Sequence, residues 1–523
     1  MNLEKNLLPI AVTTVATLFL CVVLALLFDV KAALLGLFLV PGGVVAFLNP
    51  RLGLLALLIY LPFSSTIAFS TFKVFTVVGN LIKYSKSYPL FKVAKDAFYF
   101  PALLKIILSG DAWPKLRAKT KPLVIAIIVL VAVCLLTFFF VNLPNNILSK
   151  GLIGIKILLG YIPLILCGYY LIQQTKDVAI ITRLLVVLII ICCSLCLIQY
   201  FLLTQGICPD NIVLNKLPSV VDLSQTKFYP DITDKATLKA NCLVGGSNLY
   251  NPKLNLIRLS GTFSDPWQWG WFLISSAFIS YAASFSDPSH RWKIISWISM
   301  AMVLSATLVS GQRIALILVP LIYIILLLVT EKRKQSLIIK LAIIAIFVFI
   351  LVTQVGIVEQ RVDNLVDRWM YSPPQEFIAR QFSWLSSRLS LFGEGLGSAT
   401  SGARRLTEEG TLLIETYYVK LLYEIGVLGF IAFMTVVSMI TWLTFKAYRS
   451  LKTPALRHWA ICLWLFILFI SFNPYYYPLS VEPVSIYYWL FAGMLLKLPE
   501  LEQNINSELQ QPVSESDQHF LNT

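Results

Sequence analysis

Few side chains in this 523-residue sequence can do chemistry, and most of those are basic. Arg313 closes the motif Ser310-Gly311-Gln312-Arg313 between two apolar runs, and Arg258 stands just ahead of a third run that opens after Pro266. Lys156 falls within the first two turns of another. A guanidinium is a planar fork that grips phosphate oxygens bidentately, and an ammonium adds a point charge. Together such cations suit a polyanion such as a diphosphate. Snorkelling toward lipid headgroups is the competing use of each. Arg388 belongs to an arginine-rich stretch with Arg361, Arg368, Arg380, Arg404 and Arg405. Glu415, Tyr418 and Leu422 are spaced to share one face of a helix. No cation stands four residues to either side of Glu415, which makes it a candidate for chemistry or for binding a sugar hydroxyl. A solvated helix-start acid is the alternative. Lys420 and Glu424 are spaced to neutralise each other.

The elements that must position these residues are long apolar runs. Leu8–Phe28, Pro122–Val141, Leu184–Thr204, Trp267–Phe285, Ile294–Ser310 and Ile314–Thr330 carry no charge at all. Runs of about twenty such residues match the hydrocarbon thickness of a bilayer. The expected fold class is therefore an all-α polytopic membrane protein with about 12–14 transmembrane helices and two long extracytoplasmic loops. Apolar segments fall near 8–28, 32–49, 53–70, 122–142, 151–172, 184–204, 267–286, 294–310, 314–330, 338–355, 421–445, 458–474 and 482–497. A weaker one near 88–109 carries Lys92, Lys95, Asp96 and Lys105 and reads as tilted, re-entrant or interfacial. The core runs otherwise hold almost no acid, which argues against an ion-coupled carrier.

Composition agrees: 58% of residues are hydrophobic and 13% charged, against roughly 25% charged in a soluble domain. The net charge of +15 sits mostly in short loops, so it speaks for topology and anionic lipid rather than nucleic acid. Seven of the nine Cys lie in apolar runs and read as small packing residues. Cys208 and Cys242 share a polar loop, where a disulfide and two free thiols both remain open. Lys5 precedes an apolar stretch longer than a signal-peptide core, which reads as a first transmembrane helix.

Counting the weak segment makes the positive-inside rule hold throughout. Arg51, the 110–121 loop, Lys176 with Arg183, Arg291 with Lys293, 332–334 and 446–457 then face the cytoplasm with both termini. Loops 205–265 and 356–420 face outward, and a short outer turn has no topological use for the charge of Arg313. One transmembrane domain spans 1–498, and the acidic stretch 499–523 reads as a disordered cytoplasmic tail. The glycines of Phe392 to Gly397 suit a tight outer loop better than a nucleotide cradle, since no βαβ pattern surrounds them.

Four patches, in order, resemble the O-antigen ligase and Wzy-type polysaccharide polymerase family. Arg258 to Pro266 (Arg-Leu-Ser-Gly-Thr-Phe-Ser-Asp-Pro) looks like its Arg…Gly-Thr-Phe…Pro helix start, and Leu308 to Ala315 looks like its Thr-x-Ser-Arg-Gly-Ala hairpin. Leu391 to Gly397 looks like its Pro-x-x-Gly-x-Gly loop, and Glu415 to Gly429 like its His-Asn-x-Tyr-Leu…Glu-x-Gly-x-x-Gly helix. The likeness runs from about residue 120 to 497. It implies a GT-C-like glycosyltransferase on the outer face of the cytoplasmic (inner) membrane. Its donor is a polyprenyl-diphosphate-linked oligosaccharide, with no nucleotide sugar, cofactor or metal required. A flippase and chain-length or export proteins are the implied partners. By position, Arg258 and Arg313 bind the diphosphate and stabilise its growing charge, Lys156 is a third cation, and Glu415 lies on the acceptor side; Tyr418 and Arg388 are further substrate-binding candidates.

One departure matters. Ligases of this family carry His where this chain has Glu415 or its neighbours. His290, His458 and His519 all fall on cytoplasmic loops or boundaries. A Glu near Arg is a weak base, so Glu415 is expected to orient the acceptor, with some base assistance. The missing His tilts the expectation from ligase to polymerase. A transporter of a small anion or a lipid-linked sugar is the alternative of another class.

Overall fold

The computed structural model describes residues 3–78, 81–208, 213–214, 237–251, 256–331, 333–354, 366, 370, 373–400, 414–475 and 478–510. Arg361, Arg368, Arg404, Arg405 and His519 lie outside the described residues. The first half of the chain gives α1 (Leu3–Leu27), α2 (Val30–Leu48), α3 (Pro50–Ser65), β1 (Phe75–Val78), β2 (Leu81–Tyr84), α4 (Tyr88–Val93), α5 (Asp96–Ser109), α6 (Ala112–Lys119), α7 (Lys121–Thr137), α8 (Leu148–Leu159), α9 (Leu164–Leu171) and α10 (Thr175–Thr204). Strands β3 (Val213–Leu214), β4 (Thr237–Cys242), β5 (Val244–Asn251) and β6 (Leu256–Arg258) follow. The rest is α11 (Pro266–Ser286), α12 (His290–Ser310), α13 (Arg313–Thr330), α14 (Lys334–Gln354), α15 (Pro374–Ser386), α16 (Tyr417–Ser450), α17 (Pro454–Phe472) and α18 (Val484–Gln510).

This is a polytopic helical membrane protein. Among the described residues nine helices are long and apolar enough to cross a bilayer. The weak 88–109 segment is two helices, α4 and α5, and α5 packs into the bundle against α2, α3 and α9. Peripheral helices turn apolar side chains outward, among them Phe19, Leu26, Phe38 and Ile338, as lipid contact requires. The centre differs. In α11 every residue from Trp269 to Ala283 is buried, including Ser275, Ser276 and Ser280. Ser275 and Ser280 return their protons to carbonyls of their own helix, which satisfies two of those three hydroxyls.

Local sequence sets the breaks. The side chain of Asp29 caps α2 by accepting from Ala32 N–H at 2.9 Å, and Pro50 and Pro266 open α3 and α11 where no N–H is needed. Pro163 helps end the turn that divides α8 from α9. Gly426 leaves the helical region altogether (φ 67°, ψ −170°) and breaks α16 one-third of the way along.

Helix ends sort into two layers. At one end Arg51 pairs with Asp177, Arg183 bonds Asp287 at 2.5 Å, and Lys119 bonds Glu500 at 2.8 Å. Glu502 accepts from Thr453 N–H there at 2.6 Å. These are the basic loops expected to share a side, and they are tied to one another. Residues 499–510, expected within the disordered tail, continue α18 instead, pinned by Glu500 and Glu502.

At the other end lies structure that the apolar runs did not announce. Strands β3-β4-β5-β6 form an antiparallel sheet inside the segment expected to be a loop, and β1 and β2 form a hairpin. Gln199 near the end of α10 donates to Cys242 O (2.9 Å) and Val244 O (2.8 Å), seating the sheet on the bundle. Cys208 and Cys242 are disulfide-bonded, with Cα atoms 5.5 Å apart, which resolves the open alternative.

Candidate functional site

The sheet end brings Arg258 and Arg313 together. Arg258 ends β6, where it pairs with Leu249 of β5. The next residue, Leu259, donates its N–H to Ser310 O at 2.9 Å, at the C-terminus of α12. Gly311 then takes a left-handed conformation, Gln312 occupies the N-cap position without a side-chain capping bond, and Arg313 is the first residue of α13. A single backbone hydrogen bond thus fixes both arginine stations. Both side chains are half-buried. Arg313 is thus a cation at a helix start, a position that favours anions. Gln312 adds a buried Nε2 with no hydrogen-bond partner among the described residues. The Gly-Thr-Phe of the first patch is structural: Gly261 has φ +54°, and a Cβ there would lie 2.5 Å from the Trp269 ring.

A second group forms around the break in α16. Glu394 N–H donates to Tyr423 O at 2.7 Å and Val427 N–H to Ser390 O at 3.1 Å, so the loop at 390–394 docks into the gap at Gly426. Asn142 holds Leu396 through both its N–H and its carbonyl at 2.9 Å. A Cβ on Gly397 would meet Lys150 O at 2.0 Å. The loop glycines, read from sequence as allowing a tight turn, serve close packing against helices. Glu424 accepts from Ala399 N–H (2.9 Å) and Thr400 Oγ1 (2.8 Å), while Lys420 donates to Ser480 Oγ at 3.3 Å. Lys420 and Glu424 thus interact electrostatically, as their spacing leads one to expect, and each makes hydrogen bonds of its own as well.

Helix α16 begins at Tyr417, so Glu415 precedes it and does not share a helical face with Tyr418. Thr416 N–H bonds Gln381 Oε1 of α15 at 2.9 Å, which sets the path of this segment, and Glu415 is half-buried. The hydroxyl of Tyr418 donates to Ser471 O at 2.9 Å. Arg388 is exposed, with its guanidinium 4.7 Å above the Trp384 ring. His290 and His458 lie at the opposite, ion-paired end, at the starts of α12 and α17.

Lys156 departs from expectation. It lies in the last turn of α8, and its Nζ is 2.5 Å from Asp96 Oδ2, so its charge is already matched. Beside it runs a cluster that the sequence reading missed. Lys95 Nζ is 2.9 Å from Glu482 Oε1, and Tyr161 donates to the same oxygen at 2.5 Å. Lys95 also donates to Lys92 O at 2.6 Å. Asp96 opens α5 and Glu482 stands just before α18, so both acids lie at helix ends, outside the apolar runs. Their partners stand 60 and more residues away in sequence, so only the unusual charges in 88–109 hinted at them. Among the described residues, no three His, Cys, Asp or Glu side chains converge to hold a metal.

No family model and no curated protein sequence matches this chain.

Proposed function

We propose that the protein is a membrane glycosyltransferase that polymerises polyprenyl-diphosphate-linked repeat units into a surface or exopolysaccharide. The observation that carries this reading is the pairing of Arg258 and Arg313 across the Leu259–Ser310 hydrogen bond, at a helix start, with the unpartnered Gln312 amide beside them. In this reading the arginines hold the donor diphosphate. An acceptor hydroxyl, oriented by Glu415, attacks the anomeric carbon. The C–O bond to the diphosphate breaks with inversion, and the arginines stabilise the charge on the departing oxygen. The hydroxyl proton passes to Glu415 or to solvent. Tyr418 shapes the acceptor side, and Arg388 offers a second cation there.

The sheet end is assigned to the outer face of the cytoplasmic membrane, with both termini inside. The basic loops gathered at the opposite end support this by the positive-inside rule, and a disulfide at the sheet end suits an oxidising compartment. The second reading is a carrier of a small anion or lipid-linked sugar, and the ion pairs Lys95–Glu482 and Lys156–Asp96 favour it. A glycan profile of cells lacking the protein separates the readings. Single repeat units on lipid mean polymerase. Full-length unattached chains mean a ligase, and an unchanged profile overturns the enzyme reading.

A further inference from the structure

The ion-paired end carries cations of two kinds. Arg51 faces Asp177, Arg183 faces Asp287, and Lys119 and Lys497 both face Glu500. Lys446, Arg449 and Arg457, in the hairpin of α16 and α17, face no carboxylate among the described residues. Each lies over an aromatic ring instead. Lys446 Nζ is 5.1 Å from the centre of the Trp442 ring, Arg449 Cζ is 5.8 Å from that of Phe445, and Arg457 Cζ is 5.8 Å from that of Tyr448. All three cations are exposed.

The rings beneath them form one floor. Trp442 stacks on Phe445 with centroids 6.1 Å apart, and the Trp464 ring of α17 lies 5.0 Å from Phe445 and 6.1 Å from Tyr448. Trp464 Nε1 donates to Thr441 O at 3.1 Å, which fixes the floor to both helices. Spacing along the chain builds it. Trp442, Phe445, Lys446 and Arg449 recur at helical intervals on one face of α16, and Arg457 adds its charge from the start of α17. That face points away from the bundle: Trp442 is 53% exposed, and Ile431 earlier on it is 57% exposed.

This arrangement selects a class of partner. A ring attracts a cation without occupying its N–H donors, whereas a carboxylate takes both charge and donors. Three charges so held remain open to an anion outside the protein. Trp and Tyr rings collect at headgroup depth in a bilayer, and Ile431 and Trp442 lead along the lipid-facing side of α16 to the cations. A soluble anion has no use for that apolar approach. A zwitterionic headgroup would bring its own cation among three others. A phospholipid with two phosphates supplies both the acyl chain and the matching charge.

We propose that the α16–α17 hairpin binds a doubly anionic phospholipid, with its phosphates on Lys446, Arg449 and Arg457 and its acyl chains along the outward face of α16. This goes beyond the transferase reading and does not depend on it. The full chain, purified in an uncharged detergent, is titrated with tetraoleoyl cardiolipin, which carries two phosphates, and with phosphatidylcholine, and bound lipid is read by native mass spectrometry. Cardiolipin should bind about tenfold more tightly than phosphatidylcholine, and Lys446→Gln, Arg449→Gln and Arg457→Gln combined should abolish that preference. Lys115, Arg117 and Lys121 are exposed cations of the 110–121 loop with no ring beneath them among the described residues. Changing those three to Gln removes the same charge and should alter cardiolipin binding by less than about twofold. Lys446→Gln alone should lose about threefold, and it decides the matter if the triple variant does not fold. Equal loss in the two triple variants would mean a diffuse positive surface and overturn the site. So would unchanged binding in Lys446→Gln, an absence of preference for cardiolipin, or full competition by soluble glycerol phosphate.

Discussion

Arg313 stands where a helix start would ordinarily repel it, and that placement separates recognition from topology. If it grips a diphosphate as a fork, Arg313→Lys should already shorten the polymer at normal protein abundance, because a point charge does not reproduce two parallel bonds. Arg313→Ala and Arg258→Ala should lower yield by roughly 10²–10³. Glu415 is tested by Glu415→Gln, which keeps shape and loses charge. An acceptor-orienting carboxylate predicts slow transfer with normal membrane abundance, and normal yield per molecule would reject the role. At the opposite end of the bundle Asp287 offers a pH test. Burial raises its carboxyl, but the bonds from Arg183 and Ser289 N–H prevail, so its folded value lies below the ordinary one. A depressed carboxylate stabilises the fold above its unfolded pKa, about 4, and that stability is lost as pH falls through the lower folded value. Thermal unfolding in detergent should show Asp287→Asn less stable at neutral pH, with the gap closing below about pH 4. Arg183 is 39% exposed, so screening holds the gap to about 1–2 kcal/mol. A gap independent of pH would contradict this.

At the scale of elements, the crossing of α9 and α18 is built on glycine. A Cβ on Gly493 would lie 1.9 Å from Ile165 O, and one on Gly168 would lie 2.0 Å from Leu490 O. Lipid supplies no hydrophobic drive between helices, so such close backbone approach carries the packing. Gly493→Ala should therefore cost about 1–3 kcal/mol and lower abundance. Gly110→Ala meets nothing within 4 Å and pays only for its left-handed φ of +74°, about 1–2 kcal/mol by sterics. Equal thermal stability of Gly493→Ala and wild type would refute the close-packed crossing. The elements were unevenly legible in sequence. Uncharged runs such as Pro122–Val141 announced helices because bilayer thickness fixes their length. The strands around Cys242 did not, since short pieces among Asn and Gly carry little alternation. The Ser310–Arg313 turn was readable from its lone cation. The Lys95–Glu482 pair was not, because nothing along the chain relates residues that only folding brings together. Lys156 misled for the same reason, its partner Asp96 lying on another helix.

At the scale of the whole molecule, the structure divides into an ion-paired end and a sheet end, and the account places the second outside. Cysteine substituted at Ser247 should react with an impermeant reagent in intact cells, and cysteine at Ser336 should not. Labelling of Ser336→Cys would invert the map and move both arginines to the wrong face. The claim that joins all three scales is that the arginine pair stabilises a departing lipid diphosphate. The most direct test supplies the purified protein, in liposomes, with a polyprenyl-diphosphate-linked repeat unit and follows both products. Wild type should form chains longer than one unit and release an equivalent of polyprenyl diphosphate, and Arg313→Ala should slow both by about 10²-fold or more. Absence of released diphosphate in wild type, or an undiminished rate in Arg313→Ala, would contradict the account.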